Sequence, residues 1–389
     1  TVQEWKAKVK SLINKKVLFI YGQDDHISEE VRANILKISK KINCVFATDN
    51  ISNLHGKGVV KIAKASLINK NAQNKELYPD IVISLAGNTV LDFKFQLKRL
   101  NHSFEHWIVN ENGKVADPFM KLTTVFEMST LNFLKDLDMY LEGIECNNYY
   151  LSAWETENKK FVVPEFEFSN LYTLDRFIKL IPPNSILNLG NSSTIRLTQY
   201  FELDETIQVY ANRGVNGIDG CVSTYIGQSA VTEKLSFLIV GDLTYFYDMN
   251  AIWNRYVGNN VRILLNNNSG AALFHFNQGL DNYPSLNENV AAEHTTTTKG
   301  WAKDQGFKYL SASTKDEFDL ALKEFIVKDS SQPIIFEVFT EKEKDAKIQH
   351  EFYRMNKAPL EGTQVIKAGV KKTIKSIIGQ DAINKLRNK

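Results

Sequence analysis

The sequence predicts an α/β protein made of two doubly wound parallel-sheet domains. Short apolar runs of strand length alternate along the chain with stretches whose apolar residues recur at helical spacing. Strands that alternate with helices form parallel sheets with helices on both faces. A chain of 389 residues is long enough for two or three domains. We therefore expect two such domains in succession.

The first domain is predicted over residues 1–150. Its strands are expected in four apolar runs, KKVLFIYG, NCVFATD, DIVISLAG and HWIVNEN. Helical spacing is found in EEVRANILKISKKI and FKFQLKRL. These segments alternate in the order that a parallel sheet requires.

The second domain is predicted over residues 155–350, after the polar stretch WETENKKFVVPEFEFSN. Five strands are expected, in SILNLGNS, IQVYANRG, FLIVGDL, VRILLNNN and PIIFEVFT. Helices are expected in STIRLTQYF, DGCVSTYIGQSAVTE, YDMNAIWNRYV and TKDEFDLALKEFIVK, the third of them starting near Tyr247 and Asp248. Most of these strands end in polar or glycine-rich turns, at the sheet edge where open α/β sheets bind ligands. Residues 351–389 are predicted to be a basic C-terminal extension.

Composition excludes several classes of protein. The net charge of +2 gives no basis for binding nucleic acid or an anionic membrane. No apolar run approaches the roughly 18 residues of a membrane span, and TVQEWKAKVK lacks the apolar core of a signal peptide. Cys44, Cys146 and Cys221 are scattered, which indicates a reducing, cytoplasmic compartment rather than disulfides or structural zinc.

Hard oxygen donors follow two successive strands of the second domain. Asp242 ends one strand, and Asn267 and Asn268 end the next. The carboxyl ends of parallel strands meet at one edge, so these oxygens are expected to converge. Such a set suits Mg²⁺, which also takes phosphate oxygens. Taken singly, GD or NN is better explained as ordinary turn chemistry; the two together, at this separation, favour the metal site.

These motifs resemble a known family. GD followed by NN resembles the metal- and diphosphate-binding motif of thiamine diphosphate-dependent enzymes. The segments NLGNSSTIRLTQYF, YANRGVNGIDGCVSTYIG and GDLTYFYDMN resemble the 2-succinyl-5-enolpyruvyl-6-hydroxy-3-cyclohexene-1-carboxylate synthases of menaquinone biosynthesis. The resemblance is strong over residues 185–340 and weaker over 1–150. It implies a thiamine diphosphate- and Mg²⁺-dependent transferase, a carboligase that decarboxylates 2-oxoglutarate and adds the acyl unit to isochorismate.

The resemblance also implies roles for individual residues. The metal ligands would be Asp242, Asn268 and the carbonyl of Gly270. Ser192, Arg196 and Arg213 would bind the anionic substrates, which agrees with the planar pairing of arginine and carboxylate. Arg196 could instead be a helix-surface residue. The cofactor would contact Arg213, Gly217, Ile218, Gly241, Asp242, Leu243, Asn268 and Phe274, with Ile218 bending it.

The family carries its activating glutamate on an N-terminal pyrimidine-binding domain. No residue here matches it, so that domain is expected to be absent from this chain, and residues 1–150 to be the central, non-catalytic domain. A homodimer or homotetramer, or a partner chain that supplies the missing domain, is expected. Ala271 and Ala272 lie in a turn that is usually richer in glycine in this family, and His275 lies where some relatives carry a basic residue. These departures leave the identity of the acceptor substrate open. His294 is a loop residue or reaches the site.

Two other functions stay open. One is a related decarboxylase or carboligase with another acceptor, in surface-sugar synthesis. The other is a non-catalytic scaffold that retains the fold. The basic amphipathic tail, 358–389, is expected to be a solvated helix rather than a membrane or partner contact.

Overall fold

The predicted fold class is confirmed. A computed structural model describes residues 2–359, apart from 26, 71–73, 91–92, 101, 277–282 and 284. Within these residues the chain forms two sheets of six parallel strands each, with helices between successive strands. The predicted amphipathic tail, 358–389, lies almost wholly outside the described residues, whereas the start of the predicted extension 351–389 belongs to a described helix.

The first sheet has the strand order β3-β2-β1-β4-β5-β6. Its strands are β1 Val17–Tyr21, β2 Cys44–Thr48, β3 Val59–Lys61, β4 Ile81–Leu85, β5 Glu105–Asn110 and β6 Leu122–Glu127. Its helices are α1 Val2–Lys10, α2 Glu29–Lys41, α3 Ala63–Ile68, α4 Phe93–Arg99, α5 Thr130–Tyr140 and α6 Tyr149–Asn158, with 3₁₀ turns at Asn50–Ser52 and Lys75–Leu77.

The second sheet has the order β11-β12-β10-β9-β7-β8. Its strands are β7 Ile186–Leu189, β8 Gln208–Tyr210, β9 Ser236–Gly241, β10 Val261–Asn267, β11 Lys308–Ala312 and β12 Ile334–Phe339. Its helices are α7 Asn170–Ile178, α8 Ser193–Leu197, α9 Cys221–Ser229, α10 Asp242–Phe246, α11 Ala272–Phe276, α12 Lys299–Asp304, α13 Lys315–Phe325 and α14 Lys342–Asn356. Shorter turns are the 3₁₀ segments Thr198–Tyr200 and Met249–Trp253 and the π segment Leu286–Val290.

The strand order of the second sheet determines where a ligand can enter. From β7 the chain goes to β8 on one side, and β9 then pairs with β7 on the other side. At such a reversal the connections leave on opposite faces of the sheet and open a crevice at the carboxyl ends of the strands. Every residue of β10, beside β9, is buried, so the crevice has a rigid floor.

One predicted helix is wrong in position. The helix after GDL begins at Asp242 rather than near Tyr247, and YDMNAIWNRYV contains the 3₁₀ turn Met249–Trp253. Tyr247 and Trp253 are 69% and 66% exposed, so this stretch has little apolar face to bury as a longer helix. The Asp248 carboxylate accepts hydrogen bonds from the backbone N–H and the hydroxyl of Ser223, which ties the turn to α9.

The structure adds three strands that the sequence reading missed, β3, β6 and β11. Helix α6 continues past residue 150 and α14 continues past residue 350. The proposed domain boundaries stay predictions. In the described part of the chain, every helix is too short or too polar to serve as a membrane span.

Candidate functional site

A cleft of about 360 Å³ lies at the carboxyl ends of β7, β9 and β10. It is where the strand order places a crevice, and the residues predicted from the sequence motifs converge there. The predicted residues that line it are Ser192, Arg196, Arg213, Ile218, Gly241, Asp242, Leu243, Asn268, Gly270 and Phe274. Gly217 lies next to it, and its carbonyl accepts a hydrogen bond of 2.6 Å from Asn191 Nδ2. The structure therefore places these residues at one cleft, whereas the role of each residue stays a prediction.

Asp242 organises the floor of the cleft. Its side chain is 3% exposed. Oδ2 accepts from the backbone N–H of Asn268 at 3.2 Å and of Gly270 at 2.8 Å, and Oδ1 accepts from Leu243 N at 2.7 Å. The carboxylate thus joins the start of α10 to the turn after β10, as expected for strand ends that share an edge.

Asn268 is oriented by a second buried carboxylate. Its Nδ2 donates to Asp345 Oδ2 at 2.9 Å, which leaves the amide oxygen as the atom of this group that can act as a ligand. Asp345 also accepts from Thr340 Oγ1 at 2.7 Å and from Asn170 N at 2.9 Å. Burial raises the pKa of the Asp345 carboxyl to about 6, against the opposing effect of these hydrogen bonds.

Gly270 occupies a backbone conformation that other residues rarely adopt. Its φ is +140°, and a Cβ there would lie 2.6 Å from the carbonyl oxygen of Ala291. The next residue, Ala271, donates its N–H to that same carbonyl at 2.8 Å. Glycine is therefore required for the chain to turn tightly beneath the cleft.

The three candidate oxygen donors fit a hard cation that takes only some of its ligands from the protein. A carboxylate, an amide oxygen and a backbone carbonyl belong to adjacent, hydrogen-bonded residues, and all are oxygen ligands of the type Mg²⁺ takes. Among the described residues there is no group of three or more histidine, cysteine and acidic side chains suited to a metal. A metal here would therefore need further oxygens from water or from a phosphate ligand.

His294 reaches the site, which the sequence left open. Its Nε2 lies 3.2 Å from Asp242 Oδ2 but out of line for a hydrogen bond. Its Nδ1 accepts from Thr296 N at 3.1 Å, and its ring packs edge-on against Phe246. The histidine therefore lies against the outer side of the carboxylate.

The opposite wall of the cleft is cationic. Arg213 Nη1 donates to Asn191 Oδ1 at 2.8 Å, whereas its Nε is buried without a hydrogen-bond partner in the described structure. Burial lowers the pKa of Arg213; the carboxylate of Asp49 opposes this shift and the charge of Arg196 adds to it. Two arginines close enough to affect each other favour a ligand with negative charge.

Ser192 introduces α8 in a strained conformation. Its φ of 71° and ψ of −129° belong to a region that residues with a Cβ seldom enter. Strain of this kind persists where the surrounding structure enforces it, often at a ligand site. Ile218 and Phe274 supply apolar surface to the same cleft.

The sequence motifs did not indicate two side chains that support the site, Asn191 and Asp345. Asn191 lies inside the GNS motif, next to the serine that drew attention, and its carboxamide holds Asn212 O at 2.7 Å as well as Gly217. The buried position of this side chain, between two turns, could not be inferred from the motif. Asp345 lies on α14, remote in sequence, within a polar stretch that carries no motif.

Curated relatives confirm the resemblance suggested by the motifs. The chain is 37% identical over 309 residues to a 2-succinyl-5-enolpyruvyl-6-hydroxy-3-cyclohexene-1-carboxylate synthase of Phocaeicola vulgatus, covering 79% of this chain and 55% of that protein. For a synthase of the same name from Bacteroides fragilis, identity is 36% over 327 residues, 82% of this chain and 59% of the relative. A synthase of the same name from Cytophaga hutchinsonii is 28% identical over 370 residues, which cover 92% of this chain and 64% of that protein. No family model matches the chain.

The homology includes the first sheet, where the motifs gave only a weak resemblance, because the matches cover about four-fifths of the chain. The chain spans between 55% and 64% of the length of these three relatives.

Proposed function

We propose, on the premise that this chain is a homologue of the 2-succinyl-5-enolpyruvyl-6-hydroxy-3-cyclohexene-1-carboxylate synthases, that it forms the diphosphate- and metal-binding part of a thiamine diphosphate- and Mg²⁺-dependent carboligase. The donor would be 2-oxoglutarate and the acceptor isochorismate, in menaquinone biosynthesis. The observation that carries the proposal is the meeting of the GNS, NRG, GID, GDL and NNNSG segments in one cleft.

The chain would hold the cofactor through its diphosphate. Asp242, the amide oxygen of Asn268 and the carbonyl of Gly270 would ligate Mg²⁺, and the remaining ligands would be phosphate and water oxygens. Asp242 accepts two backbone N–H groups from the turn that carries the other two ligands, so the three donors are linked before any ligand binds. Thiamine diphosphate, when bound, supplies the electron sink for decarboxylation and acyl transfer.

The arginines would bind and orient the substrates. Arg196 and Arg213 line the same cleft as the metal-ligand candidates, and their charges lie near enough to influence each other. The repulsion between two neighbouring guanidinium groups falls when carboxylates bind to them, and both proposed substrates carry carboxylates. Ile218 and Phe274 would exclude water from the reacting atoms. The activating glutamate would come from a pyrimidine-binding domain outside residues 1–389, and the protein would act as a homo-oligomer or with a partner chain that carries this domain.

Calorimetric titration with thiamine diphosphate, with and without Mg²⁺, tests the cofactor assignment. We expect Mg²⁺-dependent binding in the wild type and a loss of at least tenfold in affinity for Asp242→Asn, because this change removes the charge of the ligand while its one remaining oxygen can still accept from the N–H groups of Asn268 and Gly270. Asp204→Asn is the matched control. Asp204 caps the turn before β8, at the other end of the sheet, through a 2.9 Å bond from Thr206 N.

The control variant should bind thiamine diphosphate with the affinity of the wild type. Both variants should unfold at a temperature close to that of the wild type, which would show that the fold is intact. Equal affinity of Asp242→Asn and the wild type would show that Asp242 is not a metal ligand. No binding by the wild type at millimolar cofactor would remove the proposed function.

A further inference from the structure

Side chains of the first sheet occupy the free edge of the second. In the described part of the chain β8 is the outermost strand on its side, and its inner edge pairs with β7. The outward backbone groups of Val209 are both taken by one carboxamide. Asn53 Nδ2 donates to Val209 O at 2.9 Å, and Val209 N donates to Asn53 Oδ1 at 2.7 Å. Asn53 therefore takes the place of a neighbouring strand.

The same pattern continues along the chain at every second residue. Gln23 Nε2 donates to Ala211 O at 3.0 Å, and Asn88 Nδ2 donates to Arg213 O at 2.9 Å. Alternate residues of an extended chain present their backbone groups to the same side. Gln23, Asn53 and Asn88, here called the carboxamide clamp, thus hold one continuous edge that ends at Arg213.

The clamp is itself built rigidly. Its three members lie in the turns that follow β1, β2 and β4, at the carboxyl edge of the first sheet. Gln23 N donates to Asn88 O at 2.8 Å, and Asn53 Nδ2 also donates to Asp24 O at 2.9 Å. A Cβ on Gly22 would lie 2.0 Å from the carbonyl oxygen of Gly87, so the first and third turns are in direct contact.

Arg213 is held from two directions as a result. Asn191, at the end of β7, accepts from its guanidinium at 2.8 Å, and Asn88 fixes its backbone carbonyl. Its buried Nε has no hydrogen-bond partner within the described residues, so the group has a donor left for a ligand. Fixing both the backbone and the guanidinium of this arginine lowers the entropy lost when it pairs with a carboxylate.

We propose that the carboxamide clamp positions Arg213 for substrate carboxylate, so that the first sheet is part of the substrate-binding machinery. This inference rests on the proposed function for the identity of the ligand. Gln23, Asn53 and Asn88 are positioning residues, since they act through the backbone of residues 209–213 and do not line the cleft. Each of the three fixes one carbonyl oxygen of the segment that leads to Arg213.

A double-mutant cycle on the full chain tests this, with 2-oxoglutarate as the calorimetric probe. Asn88→Ala should weaken binding of 2-oxoglutarate about threefold to tenfold, the range expected for one hydrogen bond. In an Arg213→Ala background the same change should have no further effect, because the clamp acts through that arginine. Asn110→Ala is the matched control and should bind as the wild type, since Asn110 Nδ2 donates to Lys114 O in the turn that follows β5.

Independent effects of Asn88→Ala and Arg213→Ala would overturn the inference, because they would show that the clamp only joins the two sheets. Affinity for thiamine diphosphate with Mg²⁺ should fall no further in Asn88→Ala than it falls in Arg213→Ala. A larger loss of cofactor affinity in Asn88→Ala would mean general damage and would likewise refute the positioning role.

Hydrogen exchange separates this inference from the proposed function. Peptides covering 208–217 should exchange at least threefold faster in Asn53→Ala and Asn88→Ala, while peptides covering β9 stay protected. Unchanged exchange over 208–217 would overturn the inference whatever the protein binds. Faster exchange in a protein that binds neither thiamine diphosphate nor 2-oxoglutarate would support the clamp and remove the proposed function.

Discussion

Replacing Asp345 by asparagine should invert the amide of Asn268. In the wild type both oxygens of Asp345 accept: Oδ2 from Asn268 Nδ2 and Thr340 Oγ1, and Oδ1 from Asn170 N. Asparagine can place only one oxygen there. The backbone N–H of Asn170 cannot turn away, so the new NH₂ must face Asn268. That side chain relieves the clash by rotating its own oxygen toward residue 345.

The inverted amide would direct its NH₂ toward the metal position. Loss of a partner that orients a ligand typically reduces metal affinity by about 10- to 100-fold, which corresponds to roughly 1.4–2.7 kcal/mol. The site is buried, with Asn268 5% and Asp345 6% exposed, so water cannot easily replace the missing partner. We therefore expect the higher half of that range.

Titration with thiamine diphosphate at several Mg²⁺ concentrations would measure this loss. A swapped variant, Asn268→Asp with Asp345→Asn, should restore most of the affinity, because the new NH₂ can donate to a carboxylate that still offers the metal an oxygen. The half-exposed Asp319, which pairs with Arg176 at 3.1 Å, provides the control Asp319→Asn. Wild-type affinity in Asp345→Asn would refute the argument that this carboxylate orients Asn268.

Three other substitutions test separate features. Gly270→Ala should lower the free energy of unfolding in urea by about 2 kcal/mol or more, because the new Cβ would meet Ala291 O; Gly227→Ala, with open space around it on α9, should be neutral or stabilising. His106 is fully buried and burial lowers its pKa to about 4, below the 6.5 of the unfolded chain, so the unfolded state binds more protons between those values. The wild type should therefore lose about 1–2 kcal/mol more stability between pH 7 and 5 than His106→Gln does, in urea titrations at the two pH values, because the other titrating groups are common to both proteins. Arg196→Ala, in the enzyme complete with its pyrimidine-binding domain, should raise KM for 2-oxoglutarate about tenfold, or ~1.4 kcal/mol, and leave pyruvate nearly unaffected; equal effects on both donors in steady-state kinetics would make Arg196 structural.

Most strands found from sequence are more deeply buried than those missed, although β8 was found and is an edge strand with the same burial as β3. β1, β2 and β10 are buried at every residue, and each contains an apolar run, VLFIY, CVFA and ILL respectively, that stands out from its surroundings. The missed strands β3, β6 and β11 all lie at sheet edges in the described structure. An edge strand packs on fewer neighbours, so its residues need not be apolar, as the half-buried LTTVFE of β6 shows.

The sequence motifs predicted which residues line the site, but not which residues hold them in place. Residues such as Asp242 and Arg213 lie in short motifs because each follows a strand directly, where the chain must turn and the ligand must bind. Their partners Asp345 and Asn88 come from other elements, and tertiary packing brings them together. Since such contacts depend on how helices and sheets pack, no local pattern in the sequence indicates them.

The edge occupied by Gln23, Asn53 and Asn88 also bears on how the protein stays free of aggregates. An exposed strand edge is a template on which a strand of another molecule can grow. Both outward backbone groups of Val209 and the carbonyl oxygens of residues 211 and 213 are unavailable for such growth while the two sheets stay together. Any condition that separates the sheets before either one melts would uncover that template. Light scattering during heating should then rise before the loss of helical circular dichroism, and earliest in Asn53→Ala.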